Sequence, residues 1–565
     1  MTRLLLCGVF KPFGVNDETG EPLCTMELLN NQVTREQGVH SPRSNNPSFG
    51  LYLMAENLEI PTTVLDFPTW EEFTGEIERG DYTHVGISFI LPNVAKAKQM
   101  AQFIRKQAPH IKILIGGHGT SIPEIKELVD CDEICRGEGV SWLRQYFGEN
   151  VDRPIIHPVL PSAINSYVYG APIMGKAGII IPGVGCQNSC RFCCTSHKFD
   201  HQYTAFLRTG DDIFAACRNT EEKLGVDDFG LMDENFCKNP ERASRMLYLM
   251  EQNGKAYTFS TFSSAETIRQ MGIDFLVRMG VNFLWIGVES KANLFEKTQG
   301  VDLHKMIADL QDRGITVLAS AILFLEHHDK ETIHEEVDWA IGLESDLLQF
   351  MELGPNPGTR LYREYEAEGK LVQGIPYKKK HGQDEIWFHH PNFTSKESAE
   401  YLRDAFIKKY HTHGPSVVSM AHTALKGYLR VRDEMADRQK RGLVWDPQGL
   451  KYVQGNAPAR DHFMELRLEA MKRNALHFRP VLGSSLKYSP NAAAAEKCRK
   501  VIALYKKVFG PMTMAERLKS VTVRLLAIRE NYRIKKEGAV LRQPPMNRVE
   551  YPDRAIKSEY LEQTA

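Results

Sequence analysis

The chain has no run of about 18 apolar residues, which excludes a spanning helix. It has almost no net charge. Lys and Arg number 70, Asp and Glu 71, giving −1 with neutral histidine. No whole-chain field therefore draws it to nucleic acid or to an anionic bilayer, and no nucleic-acid partner is expected. The opening Met1-Thr-Arg-Leu-Leu-Leu-Cys-Gly-Val-Phe10 is a short apolar run without a small-residue cleavage site. It reads as a first strand rather than a signal peptide. The 11 cysteines are odd in number and unevenly spread, so they do not read as a disulfide scaffold and point to a reducing, cytoplasmic compartment. At 565 residues, with 42% hydrophobic and 25% charged residues, the composition is ordinary for a globular chain of two to four domains.

One stretch stands out. Cys186, Cys190 and Cys193 form a CxxxCxxC triplet within Gly185-Cys-Gln-Asn-Ser-Cys-Arg-Phe-Cys-Cys194. Three thiolates on one short loop can hold three irons of a cubane cluster and leave the fourth open to a small molecule, whereas a cluster used only for electron transfer has all its irons ligated by protein. The other readings are half of a zinc site or buried thiols. A zinc site closes with a second Cys or His pair at short spacing. Here only His197, four residues past Cys193, is near. Cys194 adjoins the triplet, but neighbouring side chains point apart. No later cysteine group suggests an auxiliary cluster.

Residues 1–160 alternate short apolar runs with helical patterns: 4–10, 63–67, 84–90, 111–115 and 133–135 as strands, 93–108 and 124–129 as helices. That alternation predicts a doubly wound, Rossmann-like parallel sheet, whose ligand lies beyond the carboxyl ends of the strands. Those ends carry Ser88, Gly116, Gly117, His118, Gly137 and Glu138, with glycines where backbone approaches a flat ligand. Residues 11–47 are long for a βα connection and read as a lid or substrate loop, with Cys24 an incidental thiol. From 172 to 370, six βα units with strands at 178–182, 229–233, 257–262, 283–288, 316–323 and 347–352 predict a partial (β/α)6 barrel with functional loops at the carboxyl ends. The fold class is α/β, with a mainly helical C-terminal region over 371–565.

The cysteine loop resembles the signature of radical S-adenosylmethionine (SAM) enzymes, and the N-terminal strand ends resemble the cobalamin-binding domain that precedes many such barrels. The segment Gly354-Pro-Asn-Pro-Gly-Thr-Arg-Leu-Tyr362 is similar to the closing PxPGTxLY motif of the cobalamin type. The resemblance implies a [4Fe-4S] cluster on Cys186, Cys190 and Cys193, SAM held near Phe192, Asp233, Glu234, Ser263, Glu289 and Ser290, and cobalamin at the six strand-end residues above. Each site has a plainer reading. Asp233 and Glu234 could cap the following helix, Glu289 could be a structural carboxylate at a helix start, and the N-terminal domain could be a degenerate fold without ligand. The cobalt-ligating DxHxxG motif of the family is absent, which leaves the lower cobalt face unassigned. A glycine–proline–glutamate–threonine turn common in relatives is replaced by Phe324-Leu-Glu-His-His-Asp329. His327 and His328 are therefore candidates for a proton donor or substrate contact, against a solvated pair.

The activity this implies is reductive SAM cleavage to a 5′-deoxyadenosyl radical and cobalamin-dependent methylation of an unactivated carbon, on a small-molecule or lipid-like substrate, with reduced flavodoxin or ferredoxin as electron donor. Carbon–carbon coupling or cyclisation, and a non-catalytic cobalamin sensor, are the alternatives. The basic, apolar-interleaved tail from Lys497 to Lys536 fits either peripheral contact with an anionic membrane or packing on the barrel with its charges solvated.

Overall fold

The computed structural model describes residues 2–15, 17–20, 27–162, 165–170, 176–234, 236–292, 295–455, 460–538 and 542–553. Cys24 and part of the long first loop lie outside them.

The N-terminal sheet carries five parallel strands, Leu4–Gly8, Thr62–Asp66, His84–Ser88, Lys112–Gly116 and Glu133–Ile134, with the first strand between the second and third. Leu4, Leu5, Leu6 and Cys7 are all buried. Both faces are covered, so the strand reads as a continuous apolar run instead of an alternating one. Leu5 and Cys7 pack on the side of Phe73, Ala97, Met100 and Ile104. Leu4 and Leu6 pack on the opposite side with Leu51, Leu53, Val140 and Leu143.

A sixth strand comes from the other end of the chain. Asn547–Tyr551 pairs antiparallel with Thr62–Asp66. The region assigned to C-terminal helices from sequence thus returns to complete the first sheet. An exposed edge of unpaired amides is a liability that a covering strand removes. The strand's short alternating pattern is too brief to reveal its partner from sequence.

The central sheet has six parallel strands in chain order, Ala177–Ile180, Asp228–Leu231, Thr258–Ser263, Val281–Glu289, Thr316–Leu323 and Leu347–Glu352, within two residues of the expected positions. Leu160–Ser162 adds an antiparallel edge. Among the described residues the two edge strands do not pair, so the sheet stays open. Alternate residues face inward. Phe262 stacks on Trp285 with centroids 5.4 Å apart, and Trp285, Leu318 and Leu347 share a cluster with Leu29 and Val33. The long first loop, expected as a lid or substrate loop, reaches across to the second sheet. Residues 29–34 pack against the last strands of the central sheet, and residues 35–40 against the C-terminal helices, with Arg35 over the Phe406 ring and Gln37 donating to Ser416 Oγ at 2.8 Å. Gln349 Nε2 donates to Gln32 Oε1 at 2.7 Å, and Ser320 Oγ donates to Gln349 Oε1 at 2.6 Å. Leu29 and Val33 bury apolar surface on Leu318 and Leu347 that the open sheet would leave bare.

The C-terminal region is helical over Ser395–His413, Ser416–Arg441, His462–Phe478, Ala492–Phe509 and Met514–Glu537. A capping box starts the first of them: Thr394 Oγ1 accepts from Glu397 N and Glu397 Oε2 from Thr394 N. No helix among the described residues is long and apolar enough to cross a membrane.

Candidate functional site

The cysteine loop hangs from a hairpin. Gly183–Gly185 pairs antiparallel with Tyr203–Ala205, so residues 186–202 form an excursion pinned at its base. Gly185 has φ 90° and abuts the Gln202 carbonyl with no room for a Cβ, a site only glycine fills. Cys193 N donates to Cys190 O at 3.1 Å, which folds the loop back on itself. The thiols lie close along the loop, Cys186 acting on Cys190 and Cys190 on Cys193. Burial pushes Cys193 up to about 11 and raises Cys190, while the Lys297 ammonium opposes both shifts. Cys194 opens a short helix and is pushed up to about 12 by burial. Among the described residues no three His, Cys, Asp or Glu side chains converge as a single ion would require. A cubane differs in taking one thiolate per iron.

The closing motif clamps this loop. Arg191 pairs with Glu326 at 3.0 Å and with Glu364, its carbonyl accepts from Leu361 N at 2.9 Å, and His197 Nε2 accepts from Arg360 N at 3.3 Å. Thr359 caps the helix involved, accepting from Tyr362 N at 3.1 Å.

Of the expected SAM residues, Phe192, Glu234 and Glu289 gather at the loop. Phe192 packs edge-on against Phe295 at 5.5 Å. Glu234 is exposed, lies beside Thr195 and acts on the Cys193 thiol. Glu289 follows a register shift between Gly287 and Glu289 and sits at φ 58°, an unusual conformation for a residue with a Cβ. A bulge of this kind re-aims a side chain. Here the carboxylate folds over Gly287 and pairs with Lys297. Lys297, which the sequence did not single out, stands 6.0 Å from the Phe192 ring centre. Burial works to lower it, but Glu289 and the two cysteines outweigh that and hold it above the usual lysine range.

The other expected SAM residues, and His328, have partners of their own. Asp233 is buried and accepts from Tyr203 O–H at 2.6 Å and Arg242 at 2.8 Å, which commits it to an internal ion pair. Ser263 aligns with Ile286 on the helix-covered face of the sheet, the face opposite Phe262. Ser290 Oγ donates to Glu336 at 3.0 Å and accepts from Ala292 N at 3.2 Å, bracing a turn. His328 is buried, its Nδ1 accepting from Leu325 N at 3.2 Å and its Nε2 lying 3.4 Å from Glu336. It packs the loop and does not face a ligand, whereas His327 is exposed.

The N-terminal strand ends open on a cavity of about 320 Å³. All six expected residues, Ser88, Gly116, Gly117, His118, Gly137 and Glu138, line it. The facing wall is Ile181, Val184, Phe206 and Met232 of the central region, with Lys198 and Phe199 from the cysteine loop. Gly137, at φ 78°, and Gly50 have nothing within 4 Å of where a Cβ would stand. Gly117, at φ 84°, has the Phe89 carbonyl 2.5 Å from that point. The cradle is thus glycine-lined and largely apolar, which suits a large flat ligand. Glu138 is partly committed, capping the Gly139–Phe147 helix at Val140 N and Ser141 N. Burial first, and then the Lys198 cation, bring His118 down to about 4, so it is neutral near pH 7. Lys198 spans the two regions: its Nζ donates to Thr120 Oγ1 at 2.6 Å and to Gly117 O at 3.1 Å.

No family model matches the chain. Among curated proteins it is 22% identical over 412 residues to an uncharacterised methyltransferase of Pyrococcus horikoshii, covering 65% of this chain and 88% of that one. It is 23% identical over 325 residues to the bacteriochlorophyllide d C-8(2)-methyltransferase of Chlorobaculum tepidum, covering 52% and 70%. Among solved structures, the radical SAM methyltransferase TsrM of Kitasatospora setae, with cobalamin and a [4Fe-4S] cluster bound, aligns over 77% of this chain and 98% of its own at 15% identity and a TM-score of 0.49. Both sequence relatives are named as methyltransferases, and the chain is an enzyme similar to them.

Proposed function

We propose that this chain methylates an unactivated carbon of a small molecule, using a [4Fe-4S] cluster, SAM and cobalamin. The observation that carries the reading is the shared wall. The loop bearing Cys186, Cys190 and Cys193 also supplies Lys198 and Phe199 to the glycine-lined cavity of the N-terminal domain. Two cofactor sites that must serve one substrate are thereby built on one loop.

When bound, the cluster and SAM supply a hydrogen-abstracting 5′-deoxyadenosyl radical and cobalamin supplies the methyl group. The protein's part is to hold and orient. Cys186, Cys190 and Cys193 would hold the cluster, with SAM bound beside it. Glu234 offers a carboxylate to an ammonium at the edge of the cysteine loop. Glu289 and Lys297 set a carboxylate and a cation together at the barrel mouth, beside the Phe192 ring. Residues 29–34 line the inner face of the last strands, with Ser320, Gln349 and Gln32 as a polar ladder among Phe262, Trp285 and Val33. That inner face is where a substrate would lie and be shielded from water. A reduced flavodoxin or ferredoxin would deliver the electron.

Anaerobic reconstitution with iron, sulfide and hydroxocobalamin tests this. The wild type is expected to bind cobalamin in equilibrium dialysis and to form 5′-deoxyadenosine from SAM under dithionite, and Cys186→Ala to keep the first property and lose the second. SAM cleavage persisting in Cys186→Ala would refute the cluster assignment. Cleavage without cobalamin binding would refute the methylation reading.

A further inference from the structure

The Met514–Glu537 helix has two apolar faces. Val523 and Ala527 are buried against the chain, with Val501, Tyr505 and Val481 in the same cluster. Opposite them, Met514, Leu518, Val521, Leu525, Ile528 and Tyr532 are exposed, from 42% at Ile528 to 82% at Met514. Half of the large exposed apolar residues among the described ones lie on this single helix. Their spacing is 4-3-4-3-4. At 100° per residue they fall within an arc of about 80° and run about 27 Å along the helix. A helix that faces a core carries a stripe of roughly 100° or wider, whereas a narrow stripe at heptad spacing is the seam of a helix pair.

The edges of the seam carry one sign of charge. Arg517, Arg524 and Lys535 flank it on one side and Arg529 and Lys536 on the other, all exposed. No carboxylate shares this half of the helix. Glu516 turns inward to Arg479 at 3.3 Å, Glu530 is buried and paired with Arg533 and Arg542, and Glu537 lies toward Arg533. A second copy of this chain would set arginine against arginine in either orientation, which is destabilising at facing flank positions. Met, Tyr and Arg are the residues enriched where proteins meet. The membrane-surface reading of this tail fits the charges but not the narrow seam.

We infer that this face docks an amphipathic helix of a partner protein, with an apolar heptad seam and carboxylates along both of its edges. The inferred contact is independent of the cofactor sites and of the proposed methylation.

A fluorescein-labelled 28-residue peptide with Leu at the seam positions and Glu at the flanking ones serves as the probe, titrated by anisotropy against the full chain. Binding is expected, with loss for a peptide carrying Lys at the flanks. The double variant Leu518→Ser/Leu525→Ser should weaken binding by about tenfold or more, equivalent to ~1.4 kcal/mol. Both leucines are more than 60% exposed, so the variant should melt with the parent. The inference is overturned if the acidic peptide fails to bind, if the basic peptide binds equally, or if the double variant binds unchanged. It is likewise overturned if the seam instead mediates dimerisation in sedimentation velocity or binding to phosphatidylglycerol vesicles.

Discussion

Lys198, on the loop that carries the three cysteines, donates to Thr120 Oγ1 at 2.6 Å, on the strand-end turn of the N-terminal domain. This one ammonium ties the proposed cluster site to the proposed corrin cradle. Lys198→Met should therefore leave the iron content of the reconstituted protein unchanged and lower the cobalamin retained after gel filtration. Parallel loss of both would mean that Lys198 only supports the fold of the cysteine loop.

The hairpin under the loop is held by a glycine that nothing else can replace. In Gly185→Ala the new Cβ meets the Gln202 carbonyl at a φ of 90°. The strain should be of order 1–3 kcal/mol, and iron loading should fall. Gly225→Ala, at a left-handed helix end with open space around it, is the matched control. It should cost about 1 kcal/mol or less and keep its iron. Equal iron contents in the two variants would show that the hairpin does not position the cysteines.

The acidic pair at the second central strand should separate by function. Asp233→Asn breaks a buried ion pair with Arg242 and should cost about 3–5 kcal/mol of stability, read as a fall in urea midpoint. Glu234→Gln, on an exposed side chain, should leave the midpoint unchanged and raise the SAM concentration needed for half-maximal 5′-deoxyadenosine formation. The reverse pattern would return Asp233 to the SAM site.

Lys297→Met leaves Glu289 without its partner beside the thiols. Its SAM affinity should fall by about tenfold or more, as for removal of one member of a partly buried charge pair, while iron content holds. Isothermal titration of SAM into the reconstituted protein decides this.

Acid should weaken the fold through histidines that must stay neutral. Burial brings His40, His118 and His157 each to about 4, and His157 Nε2 must accept from Ile181 N at 2.9 Å. Between about pH 6.5 and 4 the unfolded chain binds protons that the folded chain refuses, so these groups make stability fall as pH drops through that window. The raised carboxyls of Glu27 and Glu352, at about 7 and about 8, act in the opposite sense, favouring the fold at low pH. His157→Gln should make the dependence of melting temperature on pH shallower between 6.5 and 4. An unchanged slope would show that His157 takes no part.

The six parallel strands of the central sheet could be read directly from sequence, because most are apolar runs ending in a polar or glycine turn, and Thr258–Ser263 alternates Phe with Ser and Thr at the strand period. The cradle was equally legible: all six residues named at the strand ends line the cavity, since backbone topology alone fixes where those ends lie. Side-chain commitments were not. Asp233 and Ser290 look like free polar groups until Arg242 and Glu336 are seen against them, and both partners lie on other elements. Lys297 follows no strand and matches no motif, so only its position over Phe192 marks it. The seam on the last helix was hidden by its own symmetry. Apolar residues on two opposite faces cancel in any one-sided reading of amphipathicity.

The Asn547–Tyr551 strand also has a bearing on how the molecule is made. At ~5–20 residues per second, roughly 25–100 s of synthesis separate Thr62–Asp66 from the strand that covers it. During that interval the first domain leaves the ribosome with an open edge, and it can shut only after the catalytic barrel and all the helices behind it have been made. Completion of the first sheet thereby waits on residues 547–551, and a nascent chain stopped short of residue 547 would display a bare strand for aggregation or for a chaperone to find.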